Sequence, residues 1–183
     1  MEWRVSEEDR ITAATDVITP FGTVRLCWRQ EEIFRVKIGP FDPADRRTTV
    51  RRYMPPHEQG QKLIAQFLAY VQGKPTVFGY ELPSRLGTDF QRGVWHSLRA
   101  IPYGAFETYG DLALRLNLPA RTARTIGSAC GQNPLPIIYP CHRVVASTGA
   151  LTGFVAGVAW KKALLQLEGV PIQHERVRVF RNR

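Results

Sequence analysis

The 183-residue chain is poor in cysteine and histidine, and neither is spaced for cross-linking or metal binding. Cys27, Cys130 and Cys141 are odd in number and far apart, and no Cys-x-x-Cys occurs. That pattern speaks against a disulfide framework and for a reducing compartment. His57, His96, His142 and His174 show no ligand spacing, so a zinc site is not expected. Long apolar runs are missing too; none approaches the ~20 residues that a membrane helix needs. Residues 1–9 are acidic and lack an apolar stretch, so no signal peptide is expected. Internal repeats and low-complexity segments are also lacking, and the 44% hydrophobic content is that of a globular chain.

Acidic residues are scarce in one half. Residues 1–91 hold 13 Lys and Arg against 12 Asp and Glu, whereas residues 92–183 hold 12 against 4. Nearly all of the +9 net charge therefore lies in the second half, the part suited to a polyanion. A solvated basic surface is the plainer reading of the same counts.

The hydrophobic pattern divides the chain. From Thr12 to Ile38 it alternates with period two: Val24, Leu26 and Trp28 share a face, as do Phe34, Val36 and Ile38, with Glu31-Glu32 between them. This predicts an antiparallel sheet with one buried side. Residues 57–72 switch to helical spacing through Leu63, Ile64, Phe67, Leu68 and Val71, with Gly73 and Pro75 as stops. Residues 83–87 read as a linker. Thr88 and Gln91 fit a capping box that opens a second helical region. Two short helices follow, over residues 109–118 and 120–131, broken by Pro119; the pair resembles a helix-turn-helix. A last helix is predicted over residues 158–168. The expected fold is a small α/β domain over residues 1–84, with a structural role, then a mostly helical domain with a winged-helix-like helix-turn-helix over residues 85–183. Its basic tail, residues 170–183, is of a kind usually solvated and mobile.

The run Ile137-Ile138-Tyr139-Pro140-Cys141-His142-Arg143-Val144-Val145 carries the most chemistry. The apolar residues predict a buried strand. Pro140 fixes its own φ and sets Cys141 at a defined turn. His142 supplies a base and Arg143 a fixed charge, and positive surroundings favour the nucleophilic thiolate. A free cysteine is more often an inert core residue, so the flanks decide the reading. On the short helix over residues 120–131, Ala123, Gly127, Ser128 and Ala129 are small beside Arg121 and Arg124. Small residues allow close backbone approach, and arginine supplies phosphate contact or insertion between bases.

Pro140-Cys141-His142-Arg143-Val144 resembles the reactive motif of the O6-alkylguanine-DNA alkyltransferases. The similarity runs through Phe90-Gln91-Arg92, Val94-Trp95, Ile101-Pro102-Tyr103-Gly104, Tyr109-Gly110-Asp111-Leu112-Ala113, Ala123-Arg124, Asn133-Pro134-Leu135-Pro136, Leu151-Thr152-Gly153-Phe154 and Leu164-Leu165-Gln166-Leu167-Glu168-Gly169. In the first half the match is loose. The resemblance implies DNA repair by direct reversal: a methyl or larger alkyl group passes from O6 of a flipped guanine to Cys141, once per molecule and without a cofactor. O4 of thymine is expected as a further alkyl donor. By the same resemblance His142 takes the thiol proton through a water and Glu168 orients His142. Asn133 ties the DNA-binding helix to the cysteine loop, Tyr109 crowds the target nucleotide and donates to the base, and Arg124 fills the vacated stack. Arg121, Ala123, Gly127 and Ser128 would face DNA. Arg143, Val144, Phe154 and Val155 would contact substrate or DNA, with main-chain groups at Cys141, Val144 and Val155 reading the base edge. No metal is implied, since Cys27 alone falls where some members hold zinc. Tyr139 stands where an aliphatic residue is common, and Ala156-Gly157 where Gly-Gly is.

The implied partner is duplex DNA, bound in the minor groove without sequence preference by a monomer, with cooperativity open and no membrane. The expected location is cytoplasmic, with the nucleoid, or nuclear in a eukaryote. Two other classes compete: a lesion-binding module without chemistry, against which Cys141 speaks, and a helix-turn-helix regulator.

Overall fold

The computed structural model describes residues 13–29, 31–41, 49–51 and 57–179. Three long strands, β1 (Ala13–Thr19), β2 (Gly22–Arg29) and β3 (Glu32–Phe41), form antiparallel neighbours, and β4 (Thr49–Arg51) adds to the free edge of β1. The sheet order is β3-β2-β1-β4. The alternation delivers Val24, Leu26 and Trp28 to the core side as expected. In β3 the register slips: Cys27 faces Arg35 but Trp28 faces Ile33. Phe34 is the extra residue of this bulge, which brings Ile33 into the core ahead of Val36. Strand β4 was not legible in the pattern.

Helix α1 (Glu58–Val71) covers the sheet with Leu63, Ile64, Phe67, Tyr70 and Val71. His57 caps it: its Nδ1 accepts the Gly60 N–H at 3.0 Å. Helix α2 (Asp89–Leu98) begins with the expected reciprocal box between Thr88 and Gln91. A second such box, Thr108 with Asp111, starts α3 (Tyr109–Arg115) just after the two-residue strand β5 (Glu107–Thr108). A short 3-10 turn, Ala120–Thr122, leads into α4 (Ala123–Gly131), so α3 and α4 form the helix-turn-helix pair. The chain then turns through residues 133–140 to β6 (Val144–Val145), which pairs in parallel with β5. Helix α5 (Val158–Leu167) closes the order.

One hydrophobic core runs through both halves, from Val17 and Leu26 through Phe67 and Tyr70 to Leu98, Tyr139 and Trp160. Polar contacts fasten β3 to the second half. The Val36 N–H donates to Pro134 O at 2.8 Å, and Trp160 Nε1 to Gly39 O at 2.9 Å. Within the first half, the Tyr80 hydroxyl accepts the Ile33 N–H at 2.7 Å. Tyr139, the departure from the usual aliphatic residue, continues the chain of contacts. It is fully buried, its hydroxyl accepts the Leu82 N–H at 2.8 Å, and the Arg99 guanidinium lies 5.6 Å above its ring.

Two expectations are corrected. Residues 137–138 are not a strand but a tight turn, with Ile137 at φ +77° and the Tyr139 N–H bonded to Leu135 O. A left-handed β-branched residue costs on the order of 1–3 kcal/mol. The residue is fully enclosed, and packing on all sides holds it there. The tail, as far as residue 179, is docked: Val170 and Val177 pack with Val145, Leu151 and Leu165, and the Leu151 N–H donates to Glu175 O. Apolar residues between the arginines of the tail provide that anchor. Among the described residues no helix is long and apolar enough to cross a membrane.

Tyr139→Phe leaves the Leu82 N–H buried without its acceptor. The expected loss is about 1–3 kcal/mol in urea denaturation. Unchanged stability would show that the hydroxyl does not hold the Leu82 segment to the cysteine turn.

Candidate active site

Cys141 owes its position to two residues. Pro140 has φ −79° and ψ 65°, and the Cys141 N–H reaches back to Tyr139 O at 2.8 Å. These are the marks of an inverse γ-turn, whose φ the proline ring favours. The Asn133 side chain braces the turn from the end of α4. Its Nδ2 donates to the same Tyr139 carbonyl at 2.7 Å, and its Oδ1 accepts the Leu135 N–H at 3.0 Å.

Cys141, His142 and Arg143 form one 3-10 turn, and all three are buried. His142 Nε2 lies 2.8 Å from Glu168 Oε1. Glu168 caps the end of α5, where the helix dipole disfavours a negative charge. Five donors offset this. Oε1 accepts from His142 Nε2, from Arg143 Nη2 at 2.9 Å and from the Tyr70 hydroxyl at 2.7 Å. Oε2 accepts from Arg143 Nε at 2.9 Å and from the Gly104 N–H at 3.2 Å. The Arg143 fork is thus bidentate, and its remaining arm donates to Ile101 O at 2.6 Å. Gly104 sits at φ +78°, and a Cβ there would come within 2.9 Å of Glu168 O. The Ile101-Pro102-Tyr103-Gly104 segment is therefore the cradle of the Arg143–Glu168 pair.

Burial alone would raise the Glu168 pKa, but the His142 and Arg143 contacts hold it at about 2. An ionised Glu168 cannot donate, so His142 carries its proton on Nε2. Its Nδ1 is buried, makes no hydrogen bond to the protein and keeps an open lone pair. Burial pushes His142 below the usual histidine range, against the opposing pull of Glu168, so the ring is neutral. Burial also pushes the Cys141 thiol up; Asn133 and Lys161 oppose this without reversing it. Arg143 spends its charge on Glu168 rather than on the sulfur, and Cys141 needs a base, the part the resemblance gives to His142.

Arg143 was expected among the substrate- and DNA-contacting residues. The structure turns it inward, with its side chain 7% exposed and committed to Glu168 and Ile101. Val144 is also enclosed, and its N–H is held by Cys141 O. Cys141, His142, Glu168 and Asn133 are brought together. Phe154 lies beside them, ring to ring with His142 at 6.3 Å, whereas Val155 projects into solvent at 59% exposure. The Tyr109 hydroxyl points at the Thr152 and Gly153 carbonyls at 3.4 and 3.5 Å. Arg124, Thr125 and Ser128 are exposed on α4 and Arg121 on the 3-10 turn before it, with Ala123 and Gly127 partly exposed beside them. Gly127 faces the Tyr109 ring, which a Cβ there would meet at an ordinary contact distance of 3.8 Å.

Two residues escaped the sequence reading. Lys161, fully buried on α5, donates to Thr152 O at 2.7 Å, sits 5.6 Å over the Tyr109 ring and is lowered by burial to about 8. It stands seven residues before Glu168, on the same face, which was a readable signal. Tyr70 stands seven residues after Leu63 on the apolar stripe of α1. Among the described residues no group of three or more His, Cys, Asp or Glu could hold a metal ion.

The fold and site define a protein that joins an α/β half to a helix-turn-helix half around a buried Cys–His–Glu arrangement. The family model described as 6-O-methylguanine DNA methyltransferase, DNA binding domain, matches residues 89–170. A methylated-DNA–protein-cysteine methyltransferase of Mycobacterium tuberculosis is 48% identical over 105 residues, 57% of this chain. That match spans 62% of the relative's length. The Mycobacterium leprae protein of the same name is 40% identical over 116 residues, 63% of this chain and 69% of that one. A crystal structure of the Mycobacterium tuberculosis O6-methylguanine methyltransferase matches with a TM-score of 0.66 and 34% identity, covering 87% of this chain and 93% of that chain. OGT of the same organism in complex with DNA matches with a TM-score of 0.67 and 36% identity, over 84% of this chain and 90% of that chain. The chain belongs to the methylated-DNA–protein-cysteine methyltransferase family.

Glu168→Gln strands the buried Arg143 charge, and a loss of about 3–5 kcal/mol is expected at neutral pH. Glu168 is depressed in the folded state, so its contribution is complete above the unfolded carboxylate pKa of about 4.3 and fades as pH falls toward about 2. Denaturation across that window should show the gap between wild type and variant narrowing. A constant gap would contradict the ionised Glu168.

Proposed function

We propose that this protein repairs DNA by accepting, once and irreversibly, an alkyl group from O6 of guanine on Cys141. The carrying observation is the buried Cys141 turn next to a neutral His142 whose Nε2–H is bound to Glu168 and whose Nδ1 lone pair is open. His142 Nδ1 takes the thiol proton through one bridging water, and Glu168 steadies the imidazolium that results. The sulfur then attacks the alkyl carbon in line. An S–C bond forms, the C–O6 bond breaks, and guanine leaves with the bond pair and collects a proton. The Tyr109 hydroxyl is the nearby donor to the departing base. The thioether product has no leaving group and nothing regenerates the thiol, so one molecule acts once. Methyl and larger groups, and O4 of thymine, are the expected alkyl donors.

DNA is the partner this reading requires, and the basic face of α4 is its docking surface. Arg121 and Ser128 would contact phosphates, with Ala123 and Gly127 permitting close approach in the minor groove. Arg124, exposed and without a hydrogen bond or ion pair among the described residues, would enter the stack behind the flipped base. Backbone contacts carry no sequence information, which suits a lesion that arises anywhere.

The test is intact-mass measurement after incubation with a duplex holding one O6-methylguanine. One methyl group per chain, mapped to Cys141, is expected, and none on Cys141→Ala, which still binds the duplex. An unchanged wild-type mass would favour a lesion-binding module or a regulator. Arg124→Ala should slow repair of the duplex by roughly 10- to 10³-fold and leave reaction with free O6-benzylguanine nearly unchanged, since unstacking costs a few kcal/mol. Equal losses on both substrates would remove the intercalating role.

A further inference from the structure

Tyr70 brings the first half of the chain to the Cys141–His142–Glu168 cluster. Tyr70 is fully enclosed on α1, and its hydroxyl donates to Glu168 Oε1 at 2.7 Å while lying 3.3 Å from His142 Nε2. No other assignment of its proton fits: His142 Nε2 carries a hydrogen and cannot accept, and Glu168 is ionised. Tyr70 and His142 thus compete side by side for one carboxylate oxygen, with Arg143 Nη2 as a third donor. A tyrosine that served packing alone would fill this place as phenylalanine.

We propose that Tyr70 is a positioning residue that sets the basicity of His142 by sharing Glu168 Oε1 with it. The proposal rests on the alkyl-acceptor reading for its purpose, but not for its geometry. The more charge Oε1 gives to the phenol, the less it offers the imidazole N–H. Tyr70 therefore restrains the pull that would otherwise turn His142 into a standing imidazolium, which could accept no proton from Cys141. The phenol stays neutral through the reaction, because burial and the Glu168 charge raise its pKa well above the ordinary value.

The other groups around His142 leave this role to Tyr70. Lys161 on α5 is bound to Thr152 O and acts on the ring by charge alone. Arg143, on the same turn as His142, is fixed by its bidentate grip and by Ile101. The Tyr103 hydroxyl, nearest Glu168 from the preceding loop, faces the Gly73 and Leu167 carbonyls. Phe154 offers an uncharged ring edge, and Cys141 is the proton donor itself. Tyr70 is thus the neutral donor whose strength can be changed without adding or removing a charge.

The test uses the full chain with two substitutions that move donor strength in opposite directions. Tyr70→Phe deletes the donor, and replacement of Tyr70 by a fluorinated tyrosine strengthens it. The readouts are the NMR titration of the His142 ring in the protein alone and the pH–rate profile of alkylation by free O6-benzylguanine. With Tyr70→Phe, His142 should titrate at higher pH and the acid limb of the rate profile should move with it, with a loss of roughly threefold to tenfold at neutral pH. With the fluorinated residue both should move to lower pH. A titration that stays in place for both variants, whatever happens to thermal stability, would make Tyr70 a packing residue and overturn the proposal. The titration needs no substrate, so a wild-type chain that accepts no alkyl group would defeat the alkyl-acceptor reading and leave this result standing by itself.

Discussion

A single carboxylate organises the second half of the molecule. Glu168 receives His142, Arg143, Tyr70 and the Gly104 N–H, and these donors come from three separate places in the chain. The histidine and arginine lie on the cysteine turn, the glycine in the loop after α2, and the tyrosine on α1. Removing Glu168 would leave a guanidinium, an imidazole N–H and a phenol buried together. A burial cost of that kind is met by full hydrogen bonding or not at all. The two halves of the chain are accordingly locked together at this carboxylate.

The reactive turn shows how rigidity is built from unfavourable parts. Ile137 holds a left-handed φ, Pro140 occupies a γ-turn, and Tyr139 buries a hydroxyl. The left-handed Ile137 and the buried hydroxyl are costly alone, whereas the γ-turn suits the proline ring. Together, with Asn133 bonded to both ends of the turn, they fix the segment that leads into Cys141 and His142. Such strain, sustained by the surrounding packing, is characteristic of functional sites. The outer face of α4 and the turn before it is the opposite: exposed, small and cationic, with Arg121 and Arg124 open to solvent. Asn133, two residues after α4 ends, joins the two regions.

Much of this was legible in the sequence, for physical reasons. Alternation in β1–β3 and helical spacing in α1 follow from one-sided burial, and the Thr88–Gln91 box is a local contact between residues three apart. The ordered motifs carried the family, and with it Cys141, His142 and Glu168. What escaped depends on contacts between distant segments. Tyr70 lies 98 residues from Glu168, and its place on an apolar stripe reads as core. Arg143 beside a cysteine reads as a cation for the thiolate or for DNA until Glu168 is seen to claim it. The apolar run before Pro140 has the composition of a strand, but Asn133 and the γ-turn fold it back. The tail reads as mobile by its arginines, and Val170 and Val177 dock it.

The account turns on the proton held between His142 and Glu168. Nitrogen-15 NMR of the imidazole in the unreacted protein at neutral pH reports it directly. The account predicts a neutral ring with the hydrogen on Nε2 and a bare Nδ1. A ring protonated on Nδ1, or on both nitrogens, would contradict it.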